Sequence, residues 1–248
     1  MAYRSTSPSS YTFSVPGFTR AVKVLIIATS AVFLLQYVDR SLNFQLKGWF
    51  ALYPQLVLRG YIWQLASYLF LHASPSHLFW NMFALWMFGV WVEEELGAKR
   101  LYQLYFVSGI GGGLVDTLAH AWLLPNTFSY TIGASGAVFG ILLAVGVLFP
   151  DRPVFLLLPP VQIKAKWLVL GYGVLEFLFT LHGGGADGVA HFAHLGGMLF
   201  AFLFLRMRTP QFRLTAGYER WRRRKMQKRF EVYMNQRDRR PPPGGWKH

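Results

Sequence analysis

Apolar residues in this chain run in long, nearly unbroken blocks instead of alternating with polar ones. Six blocks stand out, at about residues 21–38, 76–92, 101–121, 132–149, 167–182 and 187–205. Each approaches the roughly 20 residues a helix needs to cross about 30 Å of hydrocarbon. The shorter blocks reach that length only with their semi-polar flanks. Between the first two lies a stretch from Asp39 to about Pro75 that is too polar to span but carries Phe44, Trp49, Phe50, Tyr53, Tyr61 and Trp63. Aromatic residues favour the headgroup layer, so this segment reads as an amphipathic loop lying partly in one leaflet. Residues 1–20 form a polar, serine-rich arm, residues 21–207 a membrane bundle, and residues 208–248 a basic tail ending in RRPPPGGWKH, which cannot pack. The pattern predicts an all-α membrane protein with six transmembrane helices and an interfacial first loop, and no duplicated halves of the kind that build transporters.

Composition supports this and excludes much else. The chain is 53% hydrophobic and only 15% charged, too apolar and too charge-poor for a soluble domain of 248 residues. An even number of spans puts both termini on one side, and charge selects the side. On a six-span topology 22 of the 25 lysines and arginines fall on that side, and only Arg40, Lys47 and Arg59 fall opposite. The positive-inside rule then places both termini in the cytoplasm and the Asp39–Pro75 loop outside, in a multi-pass protein of the plasma (inner) membrane. The net charge of +14 is concentrated in the tail after Arg206, so it does not call for nucleic acid. Leu214, Tyr218, Trp221, Phe230 and Tyr233 fall roughly on one helical face of that tail, consistent with a topology-fixing extension or a helix on anionic headgroups. No signal peptide is apparent, and the absence of cysteine excludes disulfides and thiolate chemistry.

The chemistry begins at GASG, residues 133–136, at the head of the fourth block. Glycine costs a helix interior about 1 kcal/mol relative to alanine, so small residues here need a reason. Gly136, Gly140 and Ala144 recur every four residues on one face, and in the sixth block Gly197 and Ala201 do the same. Such faces let helices approach backbone to backbone. By itself this is tight membrane packing. Each face also carries a reactive residue near its outer end: Ser135 one residue before Gly136, and His194 one turn before Gly197. At about 1.5 Å per residue, Ser135 stands about 22 Å above Pro150 and His194 about 18 Å above Arg206, within about one turn of each other. A serine needs a base within roughly 3 Å to attack at neutral pH, and two glycine-lined faces can supply that approach. Developing negative charge also needs donors. His77 and Asn81 share a face at the start of the second block, and the Ser135 N–H in a first helical turn lacks an intrahelical partner. The His–Asn pair fits either an oxyanion hole or a helix cap with an interfacial polar residue.

With HLFWN, GASG and AHLGG in this order along the chain, it resembles the rhomboid family of intramembrane serine proteases over about residues 40–205. The resemblance implies a six-transmembrane-helix rhomboid-like bundle. It implies Ser135 as nucleophile within Gly133-x-Ser135-Gly136, His77 and Asn81 as oxyanion donors, and His194 as general base with Gly197 and Ala201 following it. Glycine is commoner in the family where Ala201 stands. His191 is the competing base, but Met198 one turn pair beyond it disfavours close approach. Phe139 stands where relatives often have tyrosine, and its ring can stack on the histidine and orient it. That role has weight in a Ser–His dyad, which lacks a triad's carboxylate; Asp116, Glu176 and Asp187 are read as lying away from the motifs. The family's Trp-Arg pair in the first loop is replaced by Trp63-Gln64, implying a different anchor, and His72 is read as structural.

Other classes fit less well. A zinc protease needs His-Glu-x-x-His, and no histidine here precedes a glutamate. An aspartyl protease would have to use Asp116 with Asp187. A metal held by His77, His191 and His194 would lack a carboxylate ligand. A transporter predicts several ionisable residues inside spans along a pathway, and Glu176 is the sole acidic residue well inside one. A rhomboid-like pseudoprotease, which binds membrane-protein clients without cutting them, is the main alternative. The retained serine and histidine favour the protease. The expected partners are membrane-protein substrates and the bilayer, with no metal, cofactor or nucleic acid. The glycines of HGGGADG, residues 182–188, are read as a hinge before the sixth helix.

Overall fold

A computed structural model describes residues 17–124, 129–155, 161–183 and 190–208. The basic tail, most of the N-terminal arm, Asp187 and the glycine run before the last helix lie outside the described residues. Helix α1 spans Arg20–Val38, and the first loop folds into α2 (Arg40–Phe50), α3 (Pro54–Val57), α4 (Gln64–Ser67) and a single 3-10 turn, Tyr68–Phe70. Then come α5 (Pro75–Leu96), α6 (Ala98–Trp122), α7 (Ser135–Leu148), α8 (Ala165–Gly183) and α9 (His191–Arg208). The compact unit that holds the site ends at Phe202. Between α7 and α8 lies a short antiparallel strand pair, β1 (Pro153–Phe155) with β2 (Gln162–Lys164), a small addition to the all-α fold that the apolar blocks did not signal. The pair exposes Pro153, Phe155, Gln162 and Lys164 and buries Val154, and Asp151, just before it, pairs with Lys164 at 3.5 Å and Lys166 at 2.8 Å.

Consecutive long helices alternate in direction. The start of α1 meets the end of α5, where the Glu93 carboxylate accepts from the Ala21 and Val22 N–H groups at 2.9 and 3.0 Å and from the Thr19 hydroxyl. No residue at the α1 N-terminus caps it, so a buried glutamate from another helix satisfies the orphan donors and opposes the positive end of the dipole. The far end of α1 meets the entry to α5, where Gln36 accepts from the His72 N–H at 3.0 Å. Ser74 caps α5 by accepting from the His77 N–H at 3.2 Å, with Pro75 in the first turn where its missing N–H costs nothing.

Among the described residues one helix, Arg20–Val38, is by itself long and apolar enough to cross a bilayer; Ser135–Leu148 and His191–Met207 are apolar but shorter. The 132–149 block yields only 14 helical residues, about 21 Å. Its first residues are spent on the turn that leads into Ser135. Most of α7 is buried, including Ala137, Ile141, Ala144 and Val145 at 0% exposure, so it meets protein where a span would meet lipid. The outward faces of α1 and α8, by contrast, expose Ile27, Leu34, Leu35, Trp167, Leu170, Leu175 and Phe177, a surface suited to hydrocarbon.

The first loop is anchored by Gln64, buried at 0% exposure. Its side chain accepts from the Tyr53 N–H at 3.0 Å and donates to the Trp49 carbonyl at 3.4 Å, while the Trp63 ring N–H donates to that carbonyl at 2.9 Å. The different anchor expected from Trp63-Gln64 is this amide bridge.

Candidate active site

Ser135 is the first residue of α7, and its Oγ lies 2.7 Å from Nε2 of His194 on α9. The first loop sets the turn before it. Leu52 and Thr131 exchange two backbone hydrogen bonds at 3.0 and 2.9 Å, and the Gly133 N–H donates to the Tyr68 carbonyl at 3.0 Å. The Ala134 N–H donates to Nε2 of His72 at 3.4 Å. Burial, helped by the nearby His77 ring, pushes the His72 imidazole down to about 4, so it stands neutral and able to accept.

Gly133 is not a residue of the α7 packing face, as its place in the motif suggested. It lies in the turn, at φ +124°, which a residue with a Cβ rarely adopts. A Cβ there would also stand 2.7 Å from Cε1 and 2.8 Å from Nε2 of His77. The glycine therefore lets the His77 ring reach the turn that carries Ser135.

The packing face proper is Gly136 with Gly140, and it meets α9. A Cβ on Gly197 would overlap the Gly136 carbonyl oxygen, and one on Gly136 would stand 3.2 Å from the Ala193 carbonyl. Gly140 lies against the Gly197 carbonyl and the Ser108 hydroxyl of α6. Pairs 136 with 193 and 140 with 197 keep one offset, so α7 and α9 run parallel in backbone contact. Ala201, one turn further along α9, is fully buried. Helix α6 completes a three-helix junction not foreseen from the sequence: a Cβ on Gly112 would stand 2.5 Å from the Ala193 carbonyl, and Gly111 lies beneath the Phe200 ring.

The Phe139 ring stacks on His194 with centroids 4.3 Å apart and planes 15° apart. Nδ1 of His77 accepts from the Ala73 N–H at 3.4 Å, which leaves the ring proton on Nε2, the atom beside Gly133. Asn81, buried, donates one N–H to the His77 carbonyl at 2.9 Å, and its amide carries a second.

One expectation is overturned. Glu176 does not lie away from the motifs. Its Oε2 is 2.7 Å from Nδ1 of His191 and 3.0 Å from Nδ1 of His194, and all three residues are buried. The contact to His191 is a hydrogen bond, whereas that to His194 is an ionic approach without hydrogen-bond geometry. A carboxylate therefore does accompany the histidines, contrary to the basis on which a metal was set aside. A lone acidic residue inside an apolar helix was the available signal. Its partner could not be read, because nothing in the sequence pairs α8 with α9 residue by residue. Asp116 is also buried; it accepts from the Thr131 hydroxyl at 2.9 Å and pairs with His120 at 3.5 Å, so it braces the turn before Ser135.

These features define a predominantly helical bundle with a lipid-compatible surface, holding a serine and a histidine in contact across two glycine-faced helices. Residues 59–211, more than half of the chain, match the Rhomboid domain, and the chain belongs to the rhomboid family, with its all-α membrane fold. Among its relatives it is 33% identical to RHOMBOID-like protein 5 of Arabidopsis thaliana over 165 residues, which cover 65% of this chain and 50% of that protein. It is 29% identical to Rhomboid protease AarA of Providencia stuartii over 198 residues, 72% of this chain and 69% of that protein. It is 32% identical to Rhomboid-like protease 1 of Toxoplasma gondii over 152 residues, 60% of this chain and 48% of that protein. The chain spans about half the length of the first of these relatives.

Proposed function

We propose that this chain is an intramembrane serine endopeptidase that cleaves transmembrane segments of membrane-protein substrates near the outer face of the plasma (inner) membrane. The single observation that carries the reading is the 2.7 Å contact between Ser135 Oγ and His194 Nε2, made between helices that touch through glycine. Membership of a family whose relatives include named proteases supports it. In this reading α1, α5, α6, α7, α8 and α9 are the six spans, both termini are cytoplasmic, and the first loop lies in the outer leaflet.

In the reactive tautomer Nε2 of His194 is unprotonated, accepts from the Ser135 hydroxyl and holds the lone pair that takes its proton. The freed Oγ bonds to the peptide carbonyl carbon, and charge moves to the carbonyl oxygen. Nε2–H of His77, the second N–H of Asn81 and the Ser135 backbone N–H are the donors proposed to receive it. Collapse breaks the C–N bond, His194 returns the proton to the leaving amine, and water repeats the sequence on the acyl-enzyme. The stacked Phe139 ring keeps the imidazole plane aligned with Oγ throughout.

Labelling the purified protein with a fluorophosphonate probe tests this. Ser135→Ala and His194→Ala are expected to abolish labelling, while His191→Ala keeps it at a reduced rate. Loss in His191→Ala alone would move the base to His191. A parent protein that takes up no probe and cuts no membrane substrate would be a client-binding pseudoprotease instead.

A further inference from the structure

Glu176 and His191 are buried, in contact with the Ser–His pair, and unused by a two-residue mechanism. Five helices converge on this point: His77 faces it from α5, Asp116 from α6, Ser135 and Phe139 from α7, Glu176 from α8, and His191 beside His194 on α9. Of these, only Glu176 brings a carboxylate oxygen to within hydrogen-bond distance of the His194 ring.

The tautomer follows from the contacts. An ionised carboxylate only accepts, so Glu176 Oε2, 3.0 Å from Nδ1 of His194, favours the ring proton on Nδ1 and leaves Nε2 to accept from Ser135. Nδ1 of His191 donates to the same oxygen at 2.7 Å, and Phe179 stacks on the His191 ring at 5.5 Å. His191 and His194 are three residues apart on one helical face, so a single oxygen meets both rings. The arrangement is a chain of four: Ser135, His194, Glu176, His191.

We propose that Glu176 is a positioning residue for His194, holding its Nδ1–H and balancing the imidazolium that forms when Nε2 takes the Ser135 proton, and that His191 fixes Glu176 in that place. This rests on the reading of Ser135 and His194 as nucleophile and base. No proton passes to Glu176; the carboxylate stays ionised while charge appears and disappears on the ring beside it. In the resting geometry the His194 approach is short but not linear, so a small ring rotation on protonation completes the bond. The same three residues could be considered for a metal, since their ligand atoms lie within 4.8 Å of one another. The separations argue otherwise. Two ligand atoms around a tetrahedral zinc stand about 3.3 Å apart, whereas 2.7 and 3.0 Å are distances at which atoms share a proton.

The test uses the full chain in proteoliposomes with a fluorogenic transmembrane-segment substrate, reading kcat, KM and the fluorophosphonate labelling rate, with melting temperature as a folding control. Glu176→Gln is expected to lower kcat and labelling by about 10- to 1,000-fold with KM unchanged, below the full loss of a triad carboxylate because Phe139 still aligns the ring. His191→Asn is expected to cost about 3- to 10-fold, and the Glu176→Gln, His191→Asn double variant no more than Glu176→Gln, since His191 acts only through Glu176. Wild-type kcat in a folded Glu176→Gln protein would overturn the inference, as would multiplicative losses in the double variant. If Glu176→Gln lowers the melting temperature, Glu176→Met separates the roles. It fills the volume without an acceptor, and wild-type kcat in its folded fraction would equally overturn the inference. Inhibition of the parent by low micromolar zinc, lost in His191→Asn, would favour a metal site and count against the proposal. Activity surviving Ser135→Ala would defeat the protease reading itself, a result distinct from all of these.

Discussion

Gly197→Ala isolates the contact on which the site geometry depends. A methyl group on Gly197 would overlap the Gly136 carbonyl oxygen and stand 2.8 Å from its carbon and 3.2 Å from Gly136 Cα. Ordinary carbon–carbon contact is about 3.5–4.0 Å, so the helices must part by about 1 Å. The obstacle is backbone on the facing helix, so no side chain can rotate away to absorb it. The Ser135–His194 distance of 2.7 Å then opens to about 3.7 Å, outside hydrogen-bond range. A misplacement of about 1 Å at reacting atoms costs on the order of 100-fold in rate, and the overpacked interface loses about 1–3 kcal/mol of stability. The assay is turnover of a transmembrane substrate in proteoliposomes alongside the fluorophosphonate labelling rate, both normalised to folded protein. Ala201→Gly, which only removes a methyl from a buried position on the same face, serves as the control and should leave labelling close to the parent's. If Gly197→Ala turned over substrate at the parent rate, backbone contact at this glycine would not be what holds the two side chains together.

Two further outcomes follow from buried polar groups that do not touch the Ser135 or His194 side chains. Glu93→Ala strands two backbone N–H groups and a hydroxyl at the start of α1 and should cost about 2–4 kcal/mol, read as a lower melting temperature, with Glu93→Gln recovering part of it. His72, pushed down to about 4 by burial, binds its proton more readily in the unfolded chain. The stability this represents is therefore complete above about pH 6.5, the ordinary histidine value, and drains away as pH falls toward 4, by at most about 3 kcal/mol. Unfolding of the parent and of His72→Gln between pH 7 and 4.5 checks the sign: the variant, which still offers Ala134 an acceptor, should lose less stability on acidification.

Sequence alone singled out Ser135 and His194, the two side chains that the structure brings to 2.7 Å, because their neighbours report on them. Small residues every four positions have one physical use in an apolar helix, close approach, and Ser135 and His194 each sit at the outer end of such a face. The Phe139 stack was legible for a similar reason: one turn separates it from Ser135 on the same helix, and helical geometry fixes what lies one turn away. Gly133 was harder. Its motif suggests a packing face, but its left-handed φ and the His77 ring above it come from a turn pinned by Leu52, Tyr68 and His72, more than sixty residues earlier in the chain.

Glu176 shows where sequence reasoning stops. Hydrophobic periodicity tells a helix which face turns inward, but not which residue of another helix will be met there, because that depends on helix rotation and vertical offset. Those are set by the whole junction of α6, α7 and α9, and only after they are set does α8 bring a carboxylate to two histidines. The length of α7 has the same origin: a block of apolar residues cannot say whether it faces lipid, which demands a full span, or protein, which accepts 14 residues. What the linear chain determined was composition, the order of its apolar blocks and local helical neighbours, all short-range or additive properties. What tertiary structure decided was every contact between distant segments, since those follow from the simultaneous packing of all the helices.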